Sequence, residues 1–308
     1  MEVPILFAGT PANAAQTLQH LVASGFNVVA ALTRPDAPTG RRRELTESAV
    51  AIAASELGIP VIKANHVDAQ VLGEIQRLGA ELGIVVAYGS LLKKAALESL
   101  PLGWFNLHYS LLPKYRGAAP VQHALFNGEK ETGVTVFRID EGMDTGEILA
   151  QAPTPINAGE NAGELLSRLT LLGCSLISEV IPRISSRTHT LTPQVGEPSM
   201  APKLSREFGQ IDWQTSARSI ESQVLACNPE PGAWTLLNGQ SFKVLDAVAI
   251  PQTESIEIGH PVLFGNRVLV GTANGHLMLQ SVQPASKRQM SALDWARGAL
   301  TATTRFES

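Results

Sequence analysis

The chain has 308 residues, 44% of them hydrophobic, which is long for one domain and ample for a sizeable core, so two domains are expected. A net charge of −4 excludes a surface coated for polyanion binding, and any nucleic-acid partner must meet a confined basic patch. Two cysteines, Cys174 and Cys227, far apart and in no metal or redox spacing, exclude a disulfide framework and suit a reducing cytoplasm.

The opening "MEVPILFAGTP" lacks the basic start and long apolar core of a signal peptide. No apolar run reaches the roughly 18 residues of a membrane span, so a soluble protein with no membrane partner is expected. Short apolar runs then recur at 4 to 9, 26 to 33, 59 to 64, 81 to 88, 104 to 109 and 133 to 139. Between them, residues 12 to 24, 46 to 57 and 68 to 78 carry Ala, Leu, Val and Ile at mixed three- and four-residue spacing. Strands alternating with such helices predict an α/β domain over 1–188, a Rossmann-like open sheet, mostly parallel.

Periodicity fails over 189–204, where Pro, Gly, Ser and Thr dominate, as in an interdomain linker. Beyond it, one helical stretch (216 to 227) precedes short runs punctuated by turns, and Asn238-Gly239 falls between two of them as a hairpin signal. This pattern predicts a small antiparallel, OB-like β-barrel over 205–308.

Ligands of open α/β sheets sit outside the carboxyl ends of the strands. "FNLHYSLLPKYRG" lies at such an end, and side chains at i and i+2 of a strand share a face, so Asn106 and His108 point the same way. Downstream of another strand, "DEGMDTGEI" places Asp144 in a turn that reaches the same edge if the strands are neighbours. Read singly, each is more often structural: a satisfied N-x-H pair, a turn-forming Asp. Together they suit acyl transfer to an amine. The amide donates to an oxyanion, the imidazole takes a proton and the carboxylate orients the imidazole. Neither Ser110 nor Cys174 sits in a nucleophile signature, so no covalent intermediate is expected. "FAGTPAN" is neither a dinucleotide fingerprint nor a P-loop. The remaining histidines show no ligand spacing, so no metal is expected. A basic loop begins at the end of the second strand with Arg34 and continues to Arg41, Arg42 and Arg43. Such a short cluster is usually a solvated surface, but this position favours a phosphate-bearing substrate.

"FAGTP", "VVAYGSLL", "FNLHYSLLPKYRGAAPVQ", "ETGV", "DEGMDTGEIL", "KLSREFGQIDW" and "NPEPGAW" stand in one order along the chain, which thereby resembles the methionyl-tRNA formyltransferases. The resemblance implies transfer of a formyl group from 10-formyltetrahydrofolate, as co-substrate, to the α-amino group of methionine on initiator tRNA. It assigns Asn106, His108 and Asp144 to catalysis. It assigns Ser110, Leu111, Leu112, Pro113, Tyr88 and Gly89 to the folate pocket. Arg34, Arg41, Arg42 and Arg43 fall to the tRNA, with a cytoplasmic monomer as the simplest form. Two alternatives stand beside it: a sugar-nucleotide formyltransferase with the same folate donor, and a catalytically silent RNA-binding protein on the same scaffold.

Overall fold

The computed structural model describes residues 3–39, 43–252 and 255–307. Along the chain run β1 (Ile5–Gly9), α1 (Ala12–Ala23), β2 (Val28–Thr33), β3 (Ala37–Thr39), β4 (Glu44–Thr46) and α2 (Ala49–Glu56). Then follow β5 (Val61–Lys63), α3 (Ala69–Arg77), β6 (Leu82–Val86), α4 (Lys94–Leu97) and β7 (Trp104–His108). After these come α5 (Pro120–Phe126), β8 (Glu131–Arg138), β9 (Ile148–Pro155) and α6 (Ala162–Ser185). Two compact units are interleaved in sequence. One holds residues up to Pro120, Thr132–Pro155 and Leu166–Ala201; the other holds Val121–Glu131, Ile156–Leu165 and the chain from Pro202.

The first unit is built on a seven-stranded sheet in the order β5-β2-β1-β6-β7-β8-β9. Its first five strands are parallel, and β8 runs antiparallel to β7, so the expected mostly parallel open sheet is found. Strand order reverses between β1 and β6, which makes their carboxyl ends, with that of β7 beside them, the crevice where such sheets bind ligands. All five residues of β1 are buried. Leu6 and Ala8 face a cluster with Tyr88 and Trp104, while Ile5 and Phe7 are buried on the opposite face, as a strand covered by helices on both sides requires. Helix starts are locally encoded: the Ser48 hydroxyl accepts from Ala51 N at the head of α2, and Asp68 accepts from Gln70 N and Val71 N at the head of α3.

One helix, α6, has 24 residues and includes a window of mean hydropathy 1.4, long and apolar enough to cross a bilayer by length and composition alone. Charged residues at 164, 168, 179 and 183 break it into shorter runs in the sequence. Half of that window is buried within the protein, with Leu169, Ile177, Val180 and Ile181 in the core. Gly173 lets α6 lie directly on β7, because a Cβ there would stand 2.6 Å from the Leu107 side chain.

In the second unit α7 (Ala217–Cys227) precedes β10 (Ala233–Leu237), β11 (Gln240–Ile250), β12 (Pro261–Phe264), β13 (Arg267–Gly271) and β14 (His276–Gln283). β15 (Met290–Ser291), α8 (Ala292–Ala299) and β16 (Phe306–Glu307) complete it. The strands form an antiparallel sheet in the order β12-β13-β14-β11-β10-β16. One backbone bond, Phe306 N to Gly259 O at 2.8 Å, joins the last strand to the segment entering β12 and closes the ring. Asn238 and Gly239, at φ 53° and 70°, make the two-residue turn between β10 and β11 that the sequence signals. Inside, Trp213 stacks on Phe306 with ring centroids 5.3 Å apart, and its indole N–H donates to the Thr235 hydroxyl.

Candidate active site

β7 delivers Asn106 and His108 to the carboxyl edge of the first unit's sheet, two residues apart and hence on one face. His108 is buried, and its Nε2 donates to the Tyr115 carbonyl at 2.9 Å. A carbonyl only accepts, so the neutral ring carries its proton on Nε2 and its free lone pair on Nδ1. Nδ1 lies 3.7 Å from Asp144 Oδ2. Phe137 of β8 meets the imidazole edge-on, with centroids 6.4 Å apart. Burial lowers the pKa of His108, and the Asp144 charge and the Tyr115 carbonyl offset part of that.

Asp144 sits in the loop between β8 and β9 with φ 54°, a conformation that side-chain-bearing residues rarely adopt. Its Oδ2 accepts from Gly117 N at 2.8 Å, which aims the carboxylate at His108. Asn106 Oδ1 is one of two buried side-chain polar atoms without a partner among the described residues, the other being His276 Nδ1 in β14.

The chain after β7 is packed tightly. The Ser110 hydroxyl donates to Lys114 O, and the Thr135 hydroxyl donates to Ser110 O while accepting from Leu112 N. Ser110, Leu112 and Pro113 are buried, which leaves Leu111 as the partly exposed side chain of the four. Tyr88 puts its ring into the core and donates its hydroxyl to Ala64 O, so it meets the crevice through its backbone, which accepts from the Thr10 hydroxyl. Gly89 follows at φ 83° with open space around it, and its carbonyl accepts from Arg34 Nη1 at 2.8 Å. Arg34 is therefore bound to the crevice wall. Arg43, exposed, sits at the tip of the β3–β4 hairpin; Arg41 and Arg42 lie outside the described residues. No group of three His, Cys, Asp or Glu side chains among the described residues is arranged to hold a metal ion.

Sequence reasoning missed the residues that hold the pair in place: the Tyr115 carbonyl, Gly117 N–H, and the side chains of Arg116 and Gln194. "KYRG" belongs to the stretch that leaves the strand and offered a signal; Gln194, in a stretch without periodicity, offered none.

A formyl transferase model matches residues 1–181, and a model of the formyl transferase C-terminal domain matches 203–300. The chain is 44% identical over 297 residues to the methionyl-tRNA formyltransferase of Paenarthrobacter aurescens (strain TC1), covering 96% of this chain and 97% of that one. It is 45% identical over 294 residues to that of Arthrobacter sp. (strain FB24), covering 96% of both. This chain belongs to the methionyl-tRNA formyltransferase family. Among solved structures, WlaRD, a sugar 3N-formyl transferase, is similar with a TM-score of 0.66 at 20% identity, over 94% of this chain and all of that one. HypX from Aquifex aeolicus, in complex with tetrahydrofolic acid, is similar at 0.69 and 16%, over 98% of this chain and 48% of that one. At such identities the likeness is one of fold, and it places this family member among formyltransferases in architecture.

Proposed function

We propose that the chain transfers the formyl group of 10-formyltetrahydrofolate to the α-amino group of methionine on initiator tRNA, as a monomer in the cytoplasm. Family membership supports the reaction; the observation that carries the chemistry is the buried His108, with its lone pair on Nδ1 and the Asp144 carboxylate opposite.

The neutral amine attacks the formyl carbon, and a tetrahedral intermediate forms. Its oxyanion takes a hydrogen bond from the Asn106 amide. His108 takes the proton from the attacking nitrogen at Nδ1, where the resulting imidazolium faces Asp144 Oδ2. The bond from carbon to N10 of the folate then breaks, and the proton passes to the departing nitrogen, giving tetrahydrofolate and formylmethionyl-tRNA. In this reading Leu111, the backbone of Ser110 to Pro113 and that of Tyr88 and Gly89 line the folate, and the arm carrying Arg41, Arg42 and Arg43 meets the tRNA. Arg34 stiffens the wall at Gly89.

Formyl transfer is measured with methionine on initiator tRNA, methionine on elongator tRNA and a 4-amino sugar nucleotide as parallel acceptors. Transfer to the initiator alone is expected. Transfer only to the sugar would overturn the acceptor, and transfer to none would favour a silent RNA-binding protein.

A further inference from the structure

Two backbone conformations that side-chain-bearing residues rarely adopt stand beside His108: Tyr115 at φ 62°, whose carbonyl takes the imidazole proton, and Asp144 at φ 54°. Such conformations persist only where their surroundings impose them. The surroundings here come from residues 194–201. On one side, Ser199 accepts from Tyr115 N through its hydroxyl at 2.9 Å and from Arg116 N through its carbonyl at 2.8 Å. Ala201 N donates to Arg116 O at 2.7 Å. Gly117, at φ 120°, is held so close that a Cβ would stand 2.7 Å from Ala201 O. On the other side, Gln194 Nε2 donates to Asp144 O at 2.8 Å and to Gly146 O at 2.9 Å. Gln194 Oε1 accepts from Arg116 Nε at 3.1 Å and from Arg116 Nη2 at 2.7 Å.

A primary amide has two N–H donors and a carbonyl with two lone pairs, and Gln194 uses all four. Its donors hold the loop that carries Asp144. Its acceptors hold the loop that offers Tyr115 O to His108 and Gly117 N to Asp144. We infer that Gln194, backed by Arg116, is a positioning residue for formyl transfer: it locks the two loops together and thereby sets the alignment of His108 with Asp144. This rests on the formyl-transfer reading above. Glutamate or alanine at 194 cannot make the same four bonds.

The groups that face His108 are Asp144 from the loop after β8, the Tyr115 carbonyl and Phe137 of β8, so Asp144 is its titratable partner. Because the Asp144 charge holds the imidazole pKa up against burial, loosening Asp144 lets that pKa fall further. The test compares Gln194→Ala, Asp144→Asn and the double variant with the unaltered protein. Gln194→Ala is expected to lower kcat about tenfold to a hundredfold with both KM values within about threefold, as for small misplacements of reacting groups. The acid limb of kcat/KM, and the titration of His108 followed by NMR without substrate, should both move to lower pH. The double variant should lose no more than Asp144→Asn alone, because both changes act through one group.

An unaltered kcat would overturn the inference, as would a lowered kcat with the His108 titration unmoved, or losses that multiply in the double variant. Gln194→Glu, nearly isosteric, replaces the alanine variant if that one fails to fold. Should the unaltered protein transfer no formyl group, the substrate reading falls, and the His108 titration still decides the role of Gln194.

Discussion

His108 has one nitrogen to work with, because the Tyr115 carbonyl occupies the other. Replacing it with Ala should cost at least about a hundredfold in kcat, the usual worth of a positioned general base, with folate and tRNA affinity nearly unchanged in equilibrium binding. Asn106→Ala should cost about a hundredfold to a thousandfold, as for loss of one oxyanion donor. Burial holds the His108 pKa below the ordinary imidazole value of about 6.5, so kcat/KM should hold up to lower pH than a free imidazole allows. The same depression has a stability consequence. Above about 6.5 the ring is neutral folded or unfolded; below it the unfolded chain binds a proton that the folded one refuses, so stability falls as pH drops toward the depressed value. Urea titrations at pH 8 and pH 5.5 should show that loss reduced in His108→Asn. Asn106 and His108 were legible because a strand's period of two puts them on one face. Asp144 was legible as a turn carboxylate but not in its left-handed backbone, which Gln194 and Gly117 impose from elsewhere in the chain.

The β3–β4 hairpin is the element that most needs its neighbours. Thr39 pairs with Glu44 and Ala37 with Thr46, and all six strand residues are exposed, so the hairpin has no core of its own. Lys63 Nζ reaches both Asp36 and Glu47 at 2.7 Å, the residues that flank the hairpin, and those carboxylates raise its pKa. If the arm meets RNA phosphates, changing Arg41, Arg42 and Arg43 to Ala should flatten the salt dependence of methionyl-tRNA use by about one unit of slope per lost contact. Folate affinity should stay as it was. An unmoved slope would make the arm a solvated surface. Turn chemistry made the Asn238-Gly239 hairpin readable, since both residues need positive φ. β9 was not readable: its residues alternate between part-buried and exposed after the first two, without a clean apolar face.

At the scale of the molecule the two units carry separate cores and share one thread of chain. The second draws in residues 121–131 and 156–165 besides the C-terminal stretch, and Phe208 packs on Phe126 with centroids 4.6 Å apart. A fragment of residues 203–308 lacks those segments and loses the Phe126 ring from the packing of Phe208. It is expected to melt at lower temperature than the second unit does in the full chain, as followed by near-ultraviolet circular dichroism of the Trp213 cluster. Equal melting would make the added segments dispensable. The sequence by itself determined the alternation of the main strands and helices in the first half, the antiparallel second half, and a strand ending in N-x-H, because periodicity, turn residues and side-chain spacing act over a few residues. The tertiary structure alone decided that residues 194–201, irregular and proline-flanked, frame His108 and Asp144. Gln194 meets Asp144 across 50 positions of chain, and hydrogen bonds of that range leave no local pattern to read.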